Sequence, residues 1–340
     1  MYDVIIVGAG PVGLYTANIL EKKLKVLVLE KMHKIGKKAC SGLYSTNIDS
    51  VVKFEKEWIE HKVKGAILHS PLGTEIKAEK PTTSAFVINR ELFNKGLAER
   101  VRSKIITGCS VKSIHIDDEK VICKTEKGDF ESQIIIGCDG ANSVVRTCFG
   151  KKPQEIVNGL IAIVEKPDKS DYVDLWFDSE NLPDGFYWKI PRGKTTEYGM
   201  LGNKATYKDL ENFFKIKKYK KFSASIPMGP CKTYFNRAIL IGDAAGITKP
   251  WSGGGVMYGI VCADAAKHIL FEAFEENDFS ETSLKRYEDS WRKKIGKHIL
   301  AGMMFRQILS RLDNKSLDVM FKKFSNKKLN DLDMDFPIMD

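Results

Sequence analysis

The strongest constraint on the fold is a glycine-rich run that follows the first apolar segment. Tyr2–Val7 is a short apolar run, and Gly8–Gly13 then reads Gly-Ala-Gly-Pro-Val-Gly. A buried parallel strand that leads through a turn into a helix has this pattern. In such a turn Gly8 permits the tight bend, Gly10 lets a pyrophosphate approach the backbone, and Gly13 lets helix and strand pack closely. The chain is therefore predicted to begin with a dinucleotide-binding βαβ unit, with phosphates at the N-terminus of its helix.

A carboxylate supports this interpretation. Lys25–Leu29 is predicted to form the second strand, and Glu30 follows it 22 residues after Gly8. At this spacing a carboxylate accepts hydrogen bonds from ribose hydroxyls and disfavours a 2′-phosphate. A glycine turn in some other α/β protein is the alternative, and Glu30 is the residue that argues against it.

A second motif lies in the middle of the chain. Ile134–Ile136 predicts a buried strand, and Asp139-Gly140 predicts a turn that leads into the start of a helix. By itself this pattern is also typical of an ordinary strand-to-helix connection.

A third motif follows the apolar run Ile239–Ile241. It contains Gly242-Asp243, then Pro250 and the run Gly253–Gly255. A carboxylate after a strand can hold a ribityl or ribose hydroxyl. The glycines let the N–H groups of a helix N-terminus face the electron-rich end of an isoalloxazine ring. The three motifs in this order predict an FAD site.

Composition limits the remaining function classes. The formal net charge is +10, and the basic residues are not interleaved with aromatic residues, which disfavours nucleic acid binding. The charge is explained either by a lysine-rich solvated surface or by attraction to an anionic lipid surface or a diphosphate.

Seven cysteines without a CxxC pair predict reduced thiols in the cytoplasm, and six scattered histidines predict no metal site. The apolar stretch 256–274 is interrupted by charged residues, so we expect at most peripheral membrane contact.

At these motifs the chain resembles a known group, the para-hydroxybenzoate hydroxylase type of FAD-binding protein. Arg90, at the start of a predicted helix over 90–102, matches an arginine that this group places near the FAD phosphates. Within the group the chain resembles the geranylgeranyl reductase family over nearly its whole length. Ala39–Leu43 resembles the family's cysteine-glycine segment, and Gly242–Gly255 resembles its Gly-Asp-Ala-Ala-Gly loop with the glycines that follow.

A further point of resemblance is Pro183–Pro191, which is similar to the family's P-x-x-Y-x-W-x-F-P motif. Phe186 stands where the family usually has Tyr, and Ile190 stands where it usually has Phe. The same segment resembles the G-W-x-W-x-I-P motif of flavin-dependent halogenases, whose Ile-Pro ending it shares. The halogenase comparison therefore stays open on these residues.

The resemblance implies an α/β fold: a Rossmann-like FAD-binding domain with an inserted mixed β-sheet substrate domain and a C-terminal helical segment. The FAD domain is expected to be discontinuous (1–60, 86–152 and 230–275), with the substrate domain at 61–85 and 153–229 and the helical segment at 276–340.

It also implies an activity. We expect an FAD-dependent reductase that hydrogenates C=C bonds of geranylgeranyl chains, in a lipid or a diphosphate. Hydride comes from N5 of the reduced flavin, and a proton reaches the other alkene carbon. NAD(P)H, ferredoxin or a reduced deazaflavin would be the external electron donor. An aromatic monooxygenase or halogenase is the alternative activity, and a flavin- or lipid-binding carrier without catalysis is a third.

The expected site residues follow from the motifs and the resemblance. The catalytic candidates are Cys40, Tyr187 and Trp188. Cys40 has a packing role as its alternative, although the neighbouring Lys37-Lys38 would favour its thiolate. Trp188 lines either the core or an isoprenoid tunnel. The residues expected to bind FAD are Gly8, Gly10, Pro11, Gly13, Glu30, Lys31, Cys40, Ser41, Arg90, Asp139, Gly140, Gly242, Asp243, Pro250, Gly253, Gly254 and Gly255.

Overall fold

A computed structural model of the chain describes residues 1–36, 39–325 and 333–337. The chain divides into two compact units. The first comprises Met1–Lys37, Glu91–Ile156 and Ile226–Leu300, and the second comprises Lys38–Arg90, Val157–Ser225 and Ala301–Asp340.

The secondary structure elements are numbered along the described chain. The strands are β1 (Tyr2–Val7), β2 (Val26–Leu29), β3 (Leu43–Ser45), β4 (Ile59–Val63), β5 (Gly65–His69), β6 (Glu75–Glu79), β7 (Ala85–Ile88), β8 (Lys104–Ile106), β9 (Val111–Ile116), β10 (Val121–Thr125), β11 (Gly128–Gly137), β12 (Glu155–Val164), β13 (Tyr172–Trp176), β14 (Phe186–Pro191), β15 (Thr196–Gly202), β16 (Lys220–Met228), β17 (Tyr234–Phe235) and β18 (Ala238–Leu240). The α-helices are α1 (Pro11–Leu20), α2 (Arg90–Glu99), α3 (Val144–Cys148), α4 (Tyr207–Phe214), α5 (Val256–Glu276), α6 (Glu281–Trp291), α7 (Lys297–Leu309) and α8 (Asn314–Ser325).

The first unit is built on a sheet whose strand order is β17-β18-β11-β1-β2-β8. The strands β18, β11, β1, β2 and β8 run parallel to one another. Ile5, Leu27 and Ile135 are fully buried, as expected for central parallel strands covered on both faces. Val7 pairs with Gly137, and Gly137 pairs with Leu240. The three motifs therefore start from adjacent strand ends, the edge at which open α/β sheets bind ligands.

Helices α1 and α5 come into close contact in this unit. A Cβ atom placed on Gly259 would lie 2.4 Å from a methyl group of Val12, so only glycine allows this approach. The Tyr15 hydroxyl donates to Asp264 Oδ1 at 2.9 Å, which links the same two helices further along. The contact brings the start of α5 next to the glycine loop that opens α1.

The chain between 105 and 136 contains three β-rich runs with turns near Asp117 and Gly128, a pattern that predicts a three-stranded meander. The structure has this meander as β9, β10 and β11, in which β10 pairs antiparallel with both of its neighbours. The first apolar run of that region, β8, instead pairs parallel with β2 at the edge of the main sheet.

The second unit contains a sheet of order β16-β12-β15-β14-β13-β5-β6 and a small sheet of order β3-β7-β4. The turn residues Ser70–Gly73 between two β-rich runs predict a hairpin, and β5 and β6 form it. One face of the larger sheet packs under α4 through a cluster that includes Leu160, Tyr187, Met200 and Leu210. Helix α8 packs through Leu317 and Phe321 onto Ile76 of β6.

The compact units divide the chain differently from the boundaries expected above. Residues 38–60 and 86–90 belong to the second unit, because β3 and β4 both pair with β7. Helix α6 belongs to the first unit, since the Tyr287 hydroxyl donates to the carbonyl oxygen of Leu240 and the Trp291 indole donates to Thr233 Oγ1. In the described part of the chain, no helix combines the length and apolar character needed to cross a bilayer.

Candidate flavin site and cysteine segment

The glycine loop after β1 is closely packed at two positions and open at a third. Gly8 has φ +104°, and a Cβ atom on it would lie 2.5 Å from the Cys138 carbonyl oxygen. A Cβ atom on Gly13 would lie 2.0 Å from the Gly8 carbonyl oxygen. In contrast, a Cβ atom on Gly10 would meet no atom within 4 Å. Space is therefore left in front of the first turn of α1, where an anion is favoured by the helix N–H groups.

Glu30 fixes the opposite side of this loop. Its Oε2 accepts from the N–H of Ala9 at 2.7 Å, and its Oε1 accepts from the N–H of Met32 at 2.8 Å. Each carboxylate oxygen retains a further lone pair for a ribose hydroxyl. Lys31 is exposed directly after it. The carboxylate thus both shapes the loop and remains able to bind a nucleotide.

Asp139 lies against the same loop, with its Cα 2.9 Å from the Cβ position of Gly8. Its Oδ2 accepts from the N–H of Val144 at 2.7 Å, at the start of α3. Its Oδ1 is buried, and no donor for it lies among the described residues. Burial raises the pKa of the Asp139 carboxyl. A buried acceptor without a donor is costly, and a cofactor hydroxyl would satisfy it. Gly140 follows with φ +80°, which glycine adopts without strain.

Arg146 connects the second motif to the third. This buried arginine donates from Nη2 to the Ala141 carbonyl oxygen at 2.6 Å and from Nη1 to the Ala244 carbonyl oxygen at 2.9 Å. Asp243 Oδ1 lies 2.2 Å from the position that a Cβ atom would take on Gly255, at the start of α5. The first unit therefore brings all three predicted motifs together.

Sequence reasoning missed a buried lysine in the third motif. Lys249 is 5% exposed, and its Cε lies 2.8 Å from the Cβ position of Gly254. The Lys249 N–H donates to the Gly254 carbonyl oxygen at 2.9 Å, which closes the loop that contains Pro250 and Gly253. The sequence shows that Lys249 precedes Pro250, but it gives no sign that the lysine side chain is buried.

The cysteine segment precedes β3 in the second unit. Cys40 is exposed, and its Sγ accepts from the N–H of Gly42 at 3.5 Å. Gly42 has φ +69°, and its Cβ position lies 2.5 Å from the Ile88 carbonyl oxygen, so the segment lies against β7. Because sulfur is the acceptor in this bond, the Cys40 S–H is not consumed by it. Lys37 and Lys38, expected to influence Cys40, lie outside the described residues.

Arg192, another residue that the sequence did not indicate, holds this segment. Its Nη1 donates to the Ser41 carbonyl oxygen at 2.6 Å and to Glu197 Oε2 at 2.7 Å. Its Nη2 donates to the Ile88 carbonyl oxygen at 3.2 Å, and its Nε donates to Glu60 Oε2 at 2.9 Å. One guanidinium group thus fixes the backbone beside Cys40 to β7 and β15.

Glu197 is fully buried and shared between Arg192 and Trp188. The Trp188 Nε1–H donates to Glu197 Oε1 at 2.9 Å. Burial raises the pKa of the Glu197 carboxyl, and the Arg192 charge acts in the opposite direction. A Cβ atom on Gly199 would lie 2.1 Å from the Trp188 ring, so the indole covers the neighbouring strand.

Tyr187 and Trp188 do not share a surface, although both were expected in one catalytic site. Their side chains point to opposite faces of β14, as in any strand. Tyr187 stacks on Phe213 of α4, with ring centroids 3.9 Å apart. Burial raises the pKa of Tyr187 to about 12. Phe186 and Trp188 lie on the other face of β14, so the Tyr187 hydroxyl does not project beside Phe186.

Arg90 is buried at the first position of α2, with its guanidinium 5.8 Å from the ring centroid of Tyr44. Its expected contact with FAD phosphates stays a prediction.

Comparison with known proteins agrees with the motifs. Residues 1–44 match the FAD binding domain family. The digeranylgeranylglycerophospholipid reductase of Methanocaldococcus jannaschii is 30% identical over 94% of this chain and 90% of its own length. The chain belongs to the digeranylgeranylglycerophospholipid reductase family.

Another member of this family, digeranylgeranylglycerophospholipid reductase 1 of Methanococcoides burtonii, is 28% identical over 100% of this chain and 90% of its own length. A geranylgeranyl bacteriochlorophyll reductase-like protein from Thermoplasma acidophilum has the same fold, with a TM-score of 0.89, 23% identity and coverage of 97% of this chain and 93% of its own. The halogenase PltM shares the fold at a TM-score of 0.75 and 13% identity, over 94% of this chain and 78% of its own. The predicted family and α/β fold are confirmed, and the halogenase resemblance extends to the fold alone.

FAD is the cofactor of this family member, and the residues present fit it. Gly10 leaves room for the pyrophosphate, and Glu30, Asp139 and Asp243 offer carboxylates for hydroxyl groups. Bound FAD supplies two-electron chemistry that no amino-acid side chain provides. The chain is therefore an FAD-dependent oxidoreductase.

Proposed function

We propose that the protein hydrogenates C=C bonds of the geranylgeranyl chains of a membrane lipid. The observation that supports this most directly is the similarity, over nearly the full length of both chains, to reductases named for a digeranylgeranyl lipid. The aromatic monooxygenase and halogenase alternative fits less well, since it depends on fold likeness at low identity.

An isolated trisubstituted alkene is not electrophilic, so the reaction needs close placement and a proton source. We assign the proton to Cys40, because it is exposed and its S–H remains available for donation. Trp188 is proposed to contact the chain of the substrate, on a ring whose position Glu197 fixes. Tyr187 is proposed to support the sheet under α4.

Electrons are proposed to come from an external donor, either NAD(P)H, ferredoxin or a reduced deazaflavin. The protein is proposed to work in the cytoplasm at the membrane surface, held there in part by its net charge of +10.

The test uses the FAD-loaded protein, reduced by dithionite without oxygen and given a digeranylgeranyl glycerophospholipid. Mass spectrometry should show two hydrogens added per double bond. An unreactive alkene in this assay, together with oxygen consumption in a separate aerobic assay with NAD(P)H and a phenolic substrate and without dithionite, would establish the monooxygenase alternative.

A further inference from the structure

Helix α7 has an unusual distribution of apolar residues. Leu300, Met304, Phe305 and Ile308 are 64%, 56%, 43% and 54% exposed. Three of them repeat at intervals of four residues, and Phe305 adjoins them, so they form one face of the helix, here called the α7 face. A surface helix normally directs such a stripe toward the core, but on α7 the buried positions include Ile299 and His298.

The charged residues of the chain segment that contains α7 have a single sign. From Arg292 to Leu312 the chain contains no Asp or Glu and six basic residues. Lys293, Lys294 and Lys297 are exposed before the apolar positions, and Arg311 is exposed after them. The next acidic residue along the chain is Asp313. Exposed apolar side chains together with nearby basic ones supply the two contributions on which binding to a membrane interface depends, which are burial of apolar surface and attraction to anionic headgroups.

We propose that the α7 face docks the protein onto an anionic lipid bilayer, with Leu300, Met304 and Ile308 inserted among the acyl chains. The basic residues at either end then contact lipid phosphates. A second copy of the chain is a poorer occupant, because two such faces would bring like charges together. The inference rests on the proposed function, since a lipid substrate requires the protein to reach a bilayer.

The experiment measures co-sedimentation of the FAD-loaded protein with vesicles of phosphatidylglycerol and phosphatidylcholine, and with phosphatidylcholine alone. The wild type should bind the anionic vesicles better, and binding should weaken at high salt. The double variant Met304→Glu with Ile308→Glu should lose at least about tenfold in partitioning. Leu72→Glu is the matched control, because Leu72 is 61% exposed in the turn between β5 and β6. Flavin absorbance and melting temperature verify that each variant is folded.

Equal vesicle binding by the wild type and the double variant would overturn the proposal. A wild-type dimer that the double variant converts to a monomer, with no change in vesicle binding, would also overturn it and assign the face to self-association. Activity on detergent-solubilised substrate separates the two proposals. The double variant should retain it, whereas a wild type that binds vesicles but reduces no alkene would refute the proposed function alone.

Discussion

Trp188 and Glu197 are joined across neighbouring strands by a hydrogen bond from the indole N–H to a fully buried carboxylate. The bond is diagonal, since Trp188 pairs with Gly199 and Glu197 pairs with Ile190 in the strand register. Because Arg192 also binds Glu197 and the Ser41 carbonyl oxygen, the Trp188 ring and the cysteine segment are linked through two side chains. Trp188 and the backbone beside Cys40, which are two expected catalytic positions, are thus held by the same Arg192–Glu197 pair.

Glu197→Gln should weaken this support. The Arg192 guanidinium would lose a buried counter-charge, and the free energy of unfolding should fall by about 3–5 kcal/mol. The rate of Cys40 alkylation should rise as the segment loosens. Glu60→Gln is the control, because Glu60 contacts the same guanidinium from a more exposed position and should cost about 1 kcal/mol or less. Equal losses in the two variants would show that burial of the pair is unimportant.

Cys40→Ala should leave FAD bound and reducible by dithionite, because the thiol is not part of the nucleotide loop. The rate of alkene reduction should fall by roughly 10²–10⁴-fold, as for loss of a general acid. The control is Cys148→Ala, which removes another exposed thiol. Wild-type rates in Cys40→Ala would assign this cysteine to packing.

Gly10→Val should abolish FAD binding while the apoprotein stays folded, because a side chain at this position meets open space. Gly13→Ala should instead destabilise the apoprotein itself, since its methyl group would collide with the Gly8 carbonyl oxygen. Flavin absorbance and apoprotein melting temperature distinguish the two effects. If Gly10→Val retained normal flavin content, the pyrophosphate would have to bind elsewhere.

Lys249→Met should make the reduction potential of the bound flavin more negative by tens of millivolts. A buried cation in the loop expected to face the isoalloxazine stabilises the electron-rich reduced form, and about 1.4 kcal/mol corresponds to about 30 mV for two electrons. Lys249→Arg keeps the charge and should shift the potential less. Redox titration of the holoprotein measures this, and an unchanged potential in Lys249→Met would place the ammonium group away from the ring.

Asp318 should make stability depend on pH at the acid end. Hydrogen bonds from Ser70 and Lys322 lower the pKa of Asp318 to about 2. Its stabilising effect is therefore present above the ordinary aspartate pKa of about 3.9 and is lost as the pH falls toward 2. The difference in melting temperature between wild type and Asp318→Asn should be constant above about pH 5 and shrink below about pH 4. Asp289→Asn, at an exposed carboxylate of α6, is the control for removing one negative charge.

The flavin motifs could be predicted because their chemistry is local. Glycines such as Gly8 and Gly13 and the carboxylates after strands have fixed places relative to β1, β11 and β18. The support around the cysteine segment could not be predicted, since Arg192 and Glu197 look like ordinary polar residues of a hairpin until tertiary packing buries them.

The placement of Tyr187 was missed for a different reason. Because side chains alternate along β14, Tyr187 and Trp188 must point to opposite faces of the sheet. Which of these two faces α4 covers is decided by tertiary packing, and α4 covers the face of Tyr187.

Strand order in the first unit also determines when the flavin site can exist during synthesis. Strand β11 lies between β1 and β18, and β10 covers only the first half of the edge that faces β18. The remainder of that edge, Ile135–Gly137, stays unpaired until Ala238–Leu240 has left the ribosome. Unpaired edges of parallel strands expose nascent chains to aggregation. Flavin capture must therefore wait until Gly255 has emerged, and FAD supply should affect the yield of folded protein without changing how the early chain collapses.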